Sequence, residues 1–418
     1  MRNSIYLNLF RSPTYIVFLF GRIISEFGDI LFAMATTWYV LDTTESPVQT
    51  ALVLLFPMVV NTIFGSHLAT IADLLNKKKV MIFSDIARAL IVLGIAILIY
   101  INHANPFVIY LANILLSILG IMFNSSEQSV LPNILKNPNE SLSAANGLMQ
   151  SISQTVHLIG YPLAGIIVAY LKTHTIIMMD SLSFLLSAIA LIPITIPFKK
   201  YDKKVNIREF VKEGMLGFIH IYRLTIFRNI AIFAAIINLF ISSLNLVVLT
   251  FCKEILKTGS STYGYVQTAT MLGAILGGVL TGKLANKFKM WQWLLFCSPV
   301  SGLFLILAAS FHFSILLVFS MFVTMLMMTL FNTPVLTKLQ LSTPDEIRGR
   351  VFTSFGIFVN VVNPLGLLLG SYITASWGSH IMLVIIGIVY ILAGVVGALM
   401  PSLKNEISQN EISNNVIY

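Results

Sequence analysis

Charge is scarce in this chain. Asp, Glu, Lys and Arg supply 10% of its 418 residues, against 57% hydrophobic, whereas a soluble domain carries about 25% charged residues. With a mean hydropathy of +0.87, a soluble globular domain is excluded. Cysteine is nearly absent. Cys252 and Cys297 stand alone, which excludes a disulfide framework and a Cys-based metal motif. The histidines His67, His103, His157, His174, His220, His312 and His380 are scattered singly, with none of the short spacings that hold a metal. With no nucleophile–base or metal-ligand constellation, neither an enzyme nor a cofactor is expected. The N-terminal run MRNSIYLNLFRSPTYIVFLFG has no small-residue cleavage site after its apolar stretch, so the first apolar segment is expected to be retained.

What is abundant is apolar runs of membrane length. Twelve are read, at 14–41, 49–72, 80–101, 106–124, 145–171, 175–197, 229–251, 263–285, 291–311, 314–337, 352–376 and 380–400. As helices, each is long enough to cross about 30 Å of hydrocarbon. The fold class predicted is all-α integral membrane, with twelve transmembrane helices in two pseudo-symmetric six-helix bundles.

The distribution of the net charge of +9 sets an orientation. With the N-terminus cytoplasmic, the external loops hold only Lys172, Lys253 and Lys257. The internal ones hold Lys77, Lys78, Lys79, Lys136, Lys283, Lys287, Lys289, Lys338, Arg348 and Arg350, and FKKYDKKVNIREFVKEG from Phe198 adds six more. This is the positive-inside pattern with both termini cytoplasmic. The basic balance therefore reports topology and contact with anionic membrane lipid, and no nucleic-acid partner is expected.

The domains predicted are an N-terminal bundle at 1–197, a cytoplasmic linker at 198–228, a C-terminal bundle at 229–403 and a cytoplasmic tail at 404–418. Within the linker, Ile207 to Phe218 has the spacing of an amphipathic surface helix. The tail, SQNEISNNVIY after Leu403, reads as polar and disordered. The halves echo each other. GSHLATIADLLNKKK from Gly65 parallels GVLTGKLANKFK from Gly278, and YPLAGIIVAY at Tyr161 parallels NPLGLLLGSY at Asn363. Repeats of this kind are common in secondary transporters that bind substrate near the membrane midplane.

The Gly65 segment resembles the major facilitator superfamily signature between spans two and three, roughly G-x-x-x-D-R-x-G-R-K. Here the corresponding residues are Ala69, Asp73, Leu74, Asn76, Lys77 and Lys78. The acid and the basic pair stand, Leu74 replaces the arginine, and Asn76 replaces a glycine, as a residue that tolerates a left-handed turn. Ser25-x-x-Gly28-Asp29, KKKVMIFSDIARA and TPDEIRGRVFTSF are similar to the macrolide-efflux-type exporters within that superfamily. Gly160-Tyr-Pro162-Leu-Ala-Gly165 partly resembles its antiporter motif G-P-x-x-G, with Tyr161 in place of a glycine. Pro162, Gly165 and, in the second half, Pro364 are candidate helix-bend positions. Asp73 with Lys77 and Lys78 forms a candidate gating latch, against the alternative of plain surface electrostatics worth under ~1 kcal/mol. Asp85 and Arg88 read as a structural pair belonging to the same motif region.

The first span carries Arg22, Glu26 and Asp29 at i, i+4 and i+7, on one helix face. Glu26 and Asp29 fall roughly 18–23 Å in from Thr14 at about 1.5 Å per residue. A charge at that depth costs at least ~2.5–3.5 kcal/mol, so this face points to a cavity or to partners. Arg22 is the expected partner of Glu26. Asp29, further from it, is the better candidate to load and release a proton, with Glu26 second. The alternative is a static buried salt bridge. One proton crossing ~100 mV supplies ~2.3 kcal/mol and a pH unit adds ~1.4 kcal/mol, enough without nucleotide hydrolysis. GGVLTGKL at Gly277 imitates a phosphate loop, but Leu284 stands where Ser or Thr is required and the run is apolar. Its glycines read as helix-packing positions.

Candidate cavity residues are Gln150, Gln154, His157 and Tyr161 on span five, Asn238, Ser242 and Asn245 on span seven, and Met325 in the methionine-rich span ten, beside Met321, Met327 and Met328. Interhelical hydrogen bonding, worth ~0.6 kcal/mol each, or simple packing is the alternative for each. The resemblance implies a proton-coupled exporter of amphipathic small molecules in a bacterial inner membrane, a monomer whose partners are substrate, protons and lipid. The alternatives are a dedicated exporter of one metabolite, such as a siderophore or peptide antibiotic, and a membrane sensor or enzyme.

Overall fold

The computed structural model describes residues 9, 11–135, 138–194, 219, 222, 225–284, 287–341, 343 and 347–399. Among these the chain forms fourteen helices and no strand. It divides into two compact units, Met1–Asp202 and Lys203–Tyr418. The expected amphipathic helix at Ile207–Phe218 and the tail from 404 lie outside the described residues.

The first unit contains α1 (Pro13–Thr44), α2 (Pro47–Leu74), α3 (Lys77–Tyr100), α4 (Pro106–Ile134), α5 (Pro138–Tyr170) and α6 (Thr173–Leu191). Local chemistry starts them. Proline opens α1, α2 and α4, where its missing N–H costs nothing. The Ser46 side chain accepts from Gln49 N at 3.3 Å and the Asn105 side chain from Phe107 N at 3.0 Å. Asn76 caps α3 by accepting from Lys79 N at 3.2 Å. Its backbone is extended, φ −68 and ψ 108, so the left-handed turn expected there is not formed. The cap satisfies a free helix N–H, which a left-handed residue at that position would not.

The second unit contains α7 (Thr225–Ile241), α8 (Leu244–Glu254), α9 (Gly259–Leu284), α10 (Met290–Phe311), α11 (Ser314–Leu341), α12 (Arg348–Asn360), α13 (Asn363–Trp377) and α14 (Ser379–Leu399). Two expected spans are each built from two helices: span seven is α7 plus α8, and span eleven is α12 plus α13. The twelve spans are thus two sets of six. Ten combine the length and hydropathy needed to cross a membrane. The other two, α1 and α9, are long enough at 32 and 26 residues. They are more polar because α1 carries Arg22, Glu26 and Asp29, and α9 is rich in Gly, Ser and Thr.

Each unit repeats one pairing scheme. In the first, α2 packs on α4, and α3 on both α4 and α6. In the second, α9 packs on α11, and α10 on both α11 and α14. Hydroxyls tie helices together within each unit, both at these seams and between α1 and α5. Tyr15 donates to Ala145 O at 3.2 Å, Ser181 to Ala89 O at 2.8 Å and Ser298 to Tyr390 O at 2.6 Å. Gly273 and Gly277 let α9 approach α11 closely: a Cβ on Gly277 would sit 2.8 Å from Leu326 O. The run GGVLTGKL is therefore the helical end of α9, in which Gly277 is a packing position while Gly278 and Gly282 face open space. Large apolar side chains such as Phe83, Tyr170, Ile315 and Leu399 point outward, as lipid requires.

Candidate functional site

In the first unit the charges of α1 are brought to side chains from four other helices. Arg22, Glu26 and Asp29 line one cavity of about 380 Å³ with Arg88 of α3, His157 of α5 and Asp180 of α6. Glu127 of α4 sits behind Arg22.

Two layers of charge are present. In the first, Arg22 Nη1 donates to Glu127 Oε2, and its Nε lies 3.7 Å from Glu26 Oε2. Glu26 Oε1 accepts from Ser153 Oγ and lies 3.1 Å from His157 Nε2. The expected Arg22–Glu26 pair is present, and Glu127 is a second and closer partner of Arg22. A side chain on a facing helix can meet the guanidinium end-on, whereas one a turn along the same helix reaches it obliquely.

In the second layer Arg88 Nη2 donates to Asp85 Oδ1. The guanidinium lies between the rings of Phe123 and Phe184, 4.6 and 4.4 Å from their centroids, a cation–π seat that holds it away from lipid. Asp85 is fully buried and Arg88 nearly so. Asp29 opens onto the cavity and makes no hydrogen bond or ion pair with the described residues. Asp180 is fully buried. Its Oδ1 accepts from Ser183 Oγ at 3.1 Å, and its Oδ2 has no partner. Asp180 and Ser183 press on the backbone of Gly28, where a Cβ would collide with both.

The sequence reading missed Glu127 and Asp180. Span four was drawn to end at residue 124, because NSSEQS after Phe123 looks like a polar exit, yet α4 runs on to Ile134 and buries Glu127. Asp180 carried a legible signal, a lone acid inside an apolar run. Of the four residues expected on span five, His157 reaches this cavity. Tyr161 packs on His157 with ring centroids 5.7 Å apart, and Gln150 and Gln154 are exposed and do not line it.

The second unit holds a separate cavity of about 390 Å³, mostly apolar, whose polar lining includes Asn238, Asn332 and Asn360. Met327 and Met328 line it and Met325 does not: Met325 shares a helix stripe with Met328, Asn332 and Leu336 but lies before the stretch of α11 that forms the wall. Asn238, Ser242 and Asn245 do not form one continuous face, since the helix breaks at Ser242 and Ser243. Asn238 Nδ2 donates to Val359 O at 3.1 Å, and Asn363 Nδ2 to Asn360 Oδ1 at 3.0 Å. Asn245 Oδ1 lies 3.4 Å from Gln267 Nε2. The break in span eleven, at Val361 and Val362, packs beside the break in span seven: Gly366 abuts Leu239 O and Ser242 Oγ, and Gly370 abuts Ser243. Pro364 opens α13 directly after its break, while Pro162 lies inside an unbroken α5 and Gly165 is buried.

At the end of α2, Asp73 pairs with Lys77 and accepts from Ser129 Oγ at 3.2 Å. Lys78 Nζ donates to Ile192 O at 2.6 Å.

Membrane-length helices in two units, with charged side chains gathered around an internal cavity, define a multi-pass membrane transporter. The chain belongs to the Major Facilitator Superfamily, whose family model matches residues 18–229 and 231–413. It is 22% identical over 383 residues to the MFS-type transporter YvqJ of Bacillus subtilis (strain 168), covering 90% of this chain and 89% of that one. It is 21% identical to the multidrug efflux pump Tap of Mycolicibacterium fortuitum, covering 95% of this chain and 98% of that one. To macrolide efflux protein A of Streptococcus pyogenes it is 20% identical, over 92% and 95%. Among solved structures, the nucleoside transporter NupG matches with a TM-score of 0.71 at 12% identity, over 93% of this chain and 100% of that one. A bacterial homologue of the human lysosomal transporter Spinster matches at 0.68 and 13%, over 93% and 99%. At these identities the structural likeness is one of fold.

Proposed function

We propose that this chain is a proton-coupled exporter of amphipathic small molecules, working as a monomer by alternating access in a bacterial inner membrane with both termini cytoplasmic. Its two six-span repeats are 1–197 and 229–403, joined through 198–228. The observation that carries this reading is Asp29, an acid without a partner that opens onto a cavity deep within a span. Arg22, Glu26 and Glu127 beside it are already paired. A carboxylate held in place but left without a counter-ion is free to take a proton from one side and give it to the other. A static salt bridge would have enclosed it.

The second cavity supports the cargo class. Its wall is apolar and includes flexible methionines, which adapt to varied bulky ligands, and its asparagines offer a few polar contacts. The efflux pumps among the relatives point the same way. Asp73, Lys77 and Lys78, with the buried Asp85–Arg88 pair, form the gating elements of this reading.

Everted membrane vesicles test it. With an acid interior maintained by respiration, adding a macrolide or a cationic dye dissipates the pH gradient when the chain is present. Vesicles with Asp29→Asn show no such dissipation. Equal dissipation by both, or by neither, rejects the reading.

A further inference from the structure

The charges around the cavity of the first unit do not balance. Five carboxylates, Glu26, Asp29, Asp85, Glu127 and Asp180, lie in or directly behind its cavity, with two arginines, Arg22 and Arg88. Arg22 serves Glu26 and Glu127, and His157 also reaches Glu26. Arg88 is committed to Asp85 and fixed between two rings. Two acids, Asp29 and Asp180, are left without a cation of their own.

They differ in setting. Asp29 opens onto the cavity. Asp180 lines the same cavity, is fully buried, and has one carboxylate oxygen with no donor. It lies against Gly28, the residue before Asp29. The groups facing it are Asp29 from α1, Arg88 from α3, with Asp85 paired behind that arginine, and Ser183 from its own helix. An ionised carboxylate with a bare oxygen, enclosed in a medium of low dielectric, costs several kcal/mol unless something positive binds it. The cavity that Asp180 lines offers room for such a binder.

We propose that Asp180 is a second proton-binding site: Asp29 and Asp180 together take up two protons from the water of the cavity and release both to the opposite side in each cycle, while the Arg22 layer keeps its charges. This deepens the coupling reading above and rests on it. Ser183 is a positioning residue: its hydroxyl is shared between the Asp180 carbonyl oxygen at 2.8 Å and Asp180 Oδ1 at 3.1 Å, and Oδ2 is left for the proton.

The test reads the acids directly and needs no transport. Infrared difference spectra of the purified full-length chain, collected through a pH titration, show the C=O stretch of protonated carboxyl groups. Beside the bands of the exposed carboxyl groups of the chain, two titrating bands that belong to these two acids are expected. Asp180→Asn removes one and keeps the other, and Asp29→Asn does the reverse. Should Asp180→Asn fail to fold, Ser183→Ala decides, because loss of its hydroxyl shifts the Asp180 band without deleting the acid. A single band from the two acids in the unmodified chain, spectra unchanged by Asp180→Asn, or a band unmoved by Ser183→Ala overturns the proposal. So does loss of the bands on adding sodium at fixed pH, which identifies a sodium site. Two bands with no pH-driven transport leave Asp180 as a proton site and reject the exporter reading instead.

Discussion

Arg22 of α1 is bound to Glu127 of α4, 105 residues further along the chain, more closely than to Glu26 one turn along its own helix. The contact fastens the charged helix to its neighbour and leaves Glu26 to Ser153 and His157 of α5. Arg22 thus ties α1 to α4, and Glu26, through its other oxygen, ties α1 to α5.

Breaking that pair on one side strands a buried charge. Arg22→Met is expected to cost about 3–5 kcal/mol, the usual penalty for removing one partner of a buried ion pair. The double variant Arg22→Met with Glu127→Gln recovers part of it, because Glu127 is no longer charged while Glu26 keeps Ser153 and His157. Unfolding of the three proteins in detergent measures both effects.

Gly28 is a packing requirement of the site. A Cβ there meets Ser183 and Asp180, so Gly28→Ala forces α1 and α6 apart at a cost of about 1–3 kcal/mol. Adding Ser183→Ala to Gly28→Ala relieves one of the two collisions and returns part of the stability, read from the shift in melting temperature.

The paired breaks of the second unit depend on Gly366 and Gly370. Gly366 meets the Leu239 carbonyl oxygen more closely than Gly370 meets the Oγ and Cβ of Ser243, and neither the carbonyl nor a Cβ can swing aside. Gly366→Ala is therefore expected to lower the melting temperature more than Gly370→Ala, each by the equivalent of about 1–3 kcal/mol. Equal melting temperatures for both variants and the unmodified chain would mean that the two breaks do not pack against each other.

Asp73 separates stability from gating. Its side chain is 55% exposed, so the pair with Lys77 contributes under about 1 kcal/mol. Asp73→Asn is expected to melt with the unmodified chain and to transport several-fold more slowly. Normal transport would reduce the contact to surface electrostatics.

The helical architecture was legible because hydropathy and charge asymmetry act over whole segments. The four-residue rhythm of Arg22, Glu26 and Asp29 correctly pointed one face of α1 inward. What escaped depended on contacts between segments. Glu127 was hidden by the polar NSSEQS run, which reads as an exit from the membrane but is sheltered by Arg22. The break at Ser242 and Ser243 has no proline or glycine to announce it, and it becomes stable only where Gly366 and Gly370 of α13 lie beside it. The cavity wall of α11 begins at Met327 and Met328 and leaves out Met325, a matter of position along the helix axis that a methionine-rich run does not reveal.

The central claim is that Asp29 couples proton movement to substrate movement, and proteoliposomes preloaded with a macrolide test it most directly. Two fluxes are compared in the unmodified chain, Asp29→Asn and Glu26→Gln: exchange of labelled for unlabelled macrolide with no gradient, and uphill movement driven by a pH gradient. The account predicts that Asp29→Asn keeps the exchange and loses the gradient-driven movement. If Asp29→Asn and Glu26→Gln both still drive uphill transport at the unmodified rate, the account is contradicted.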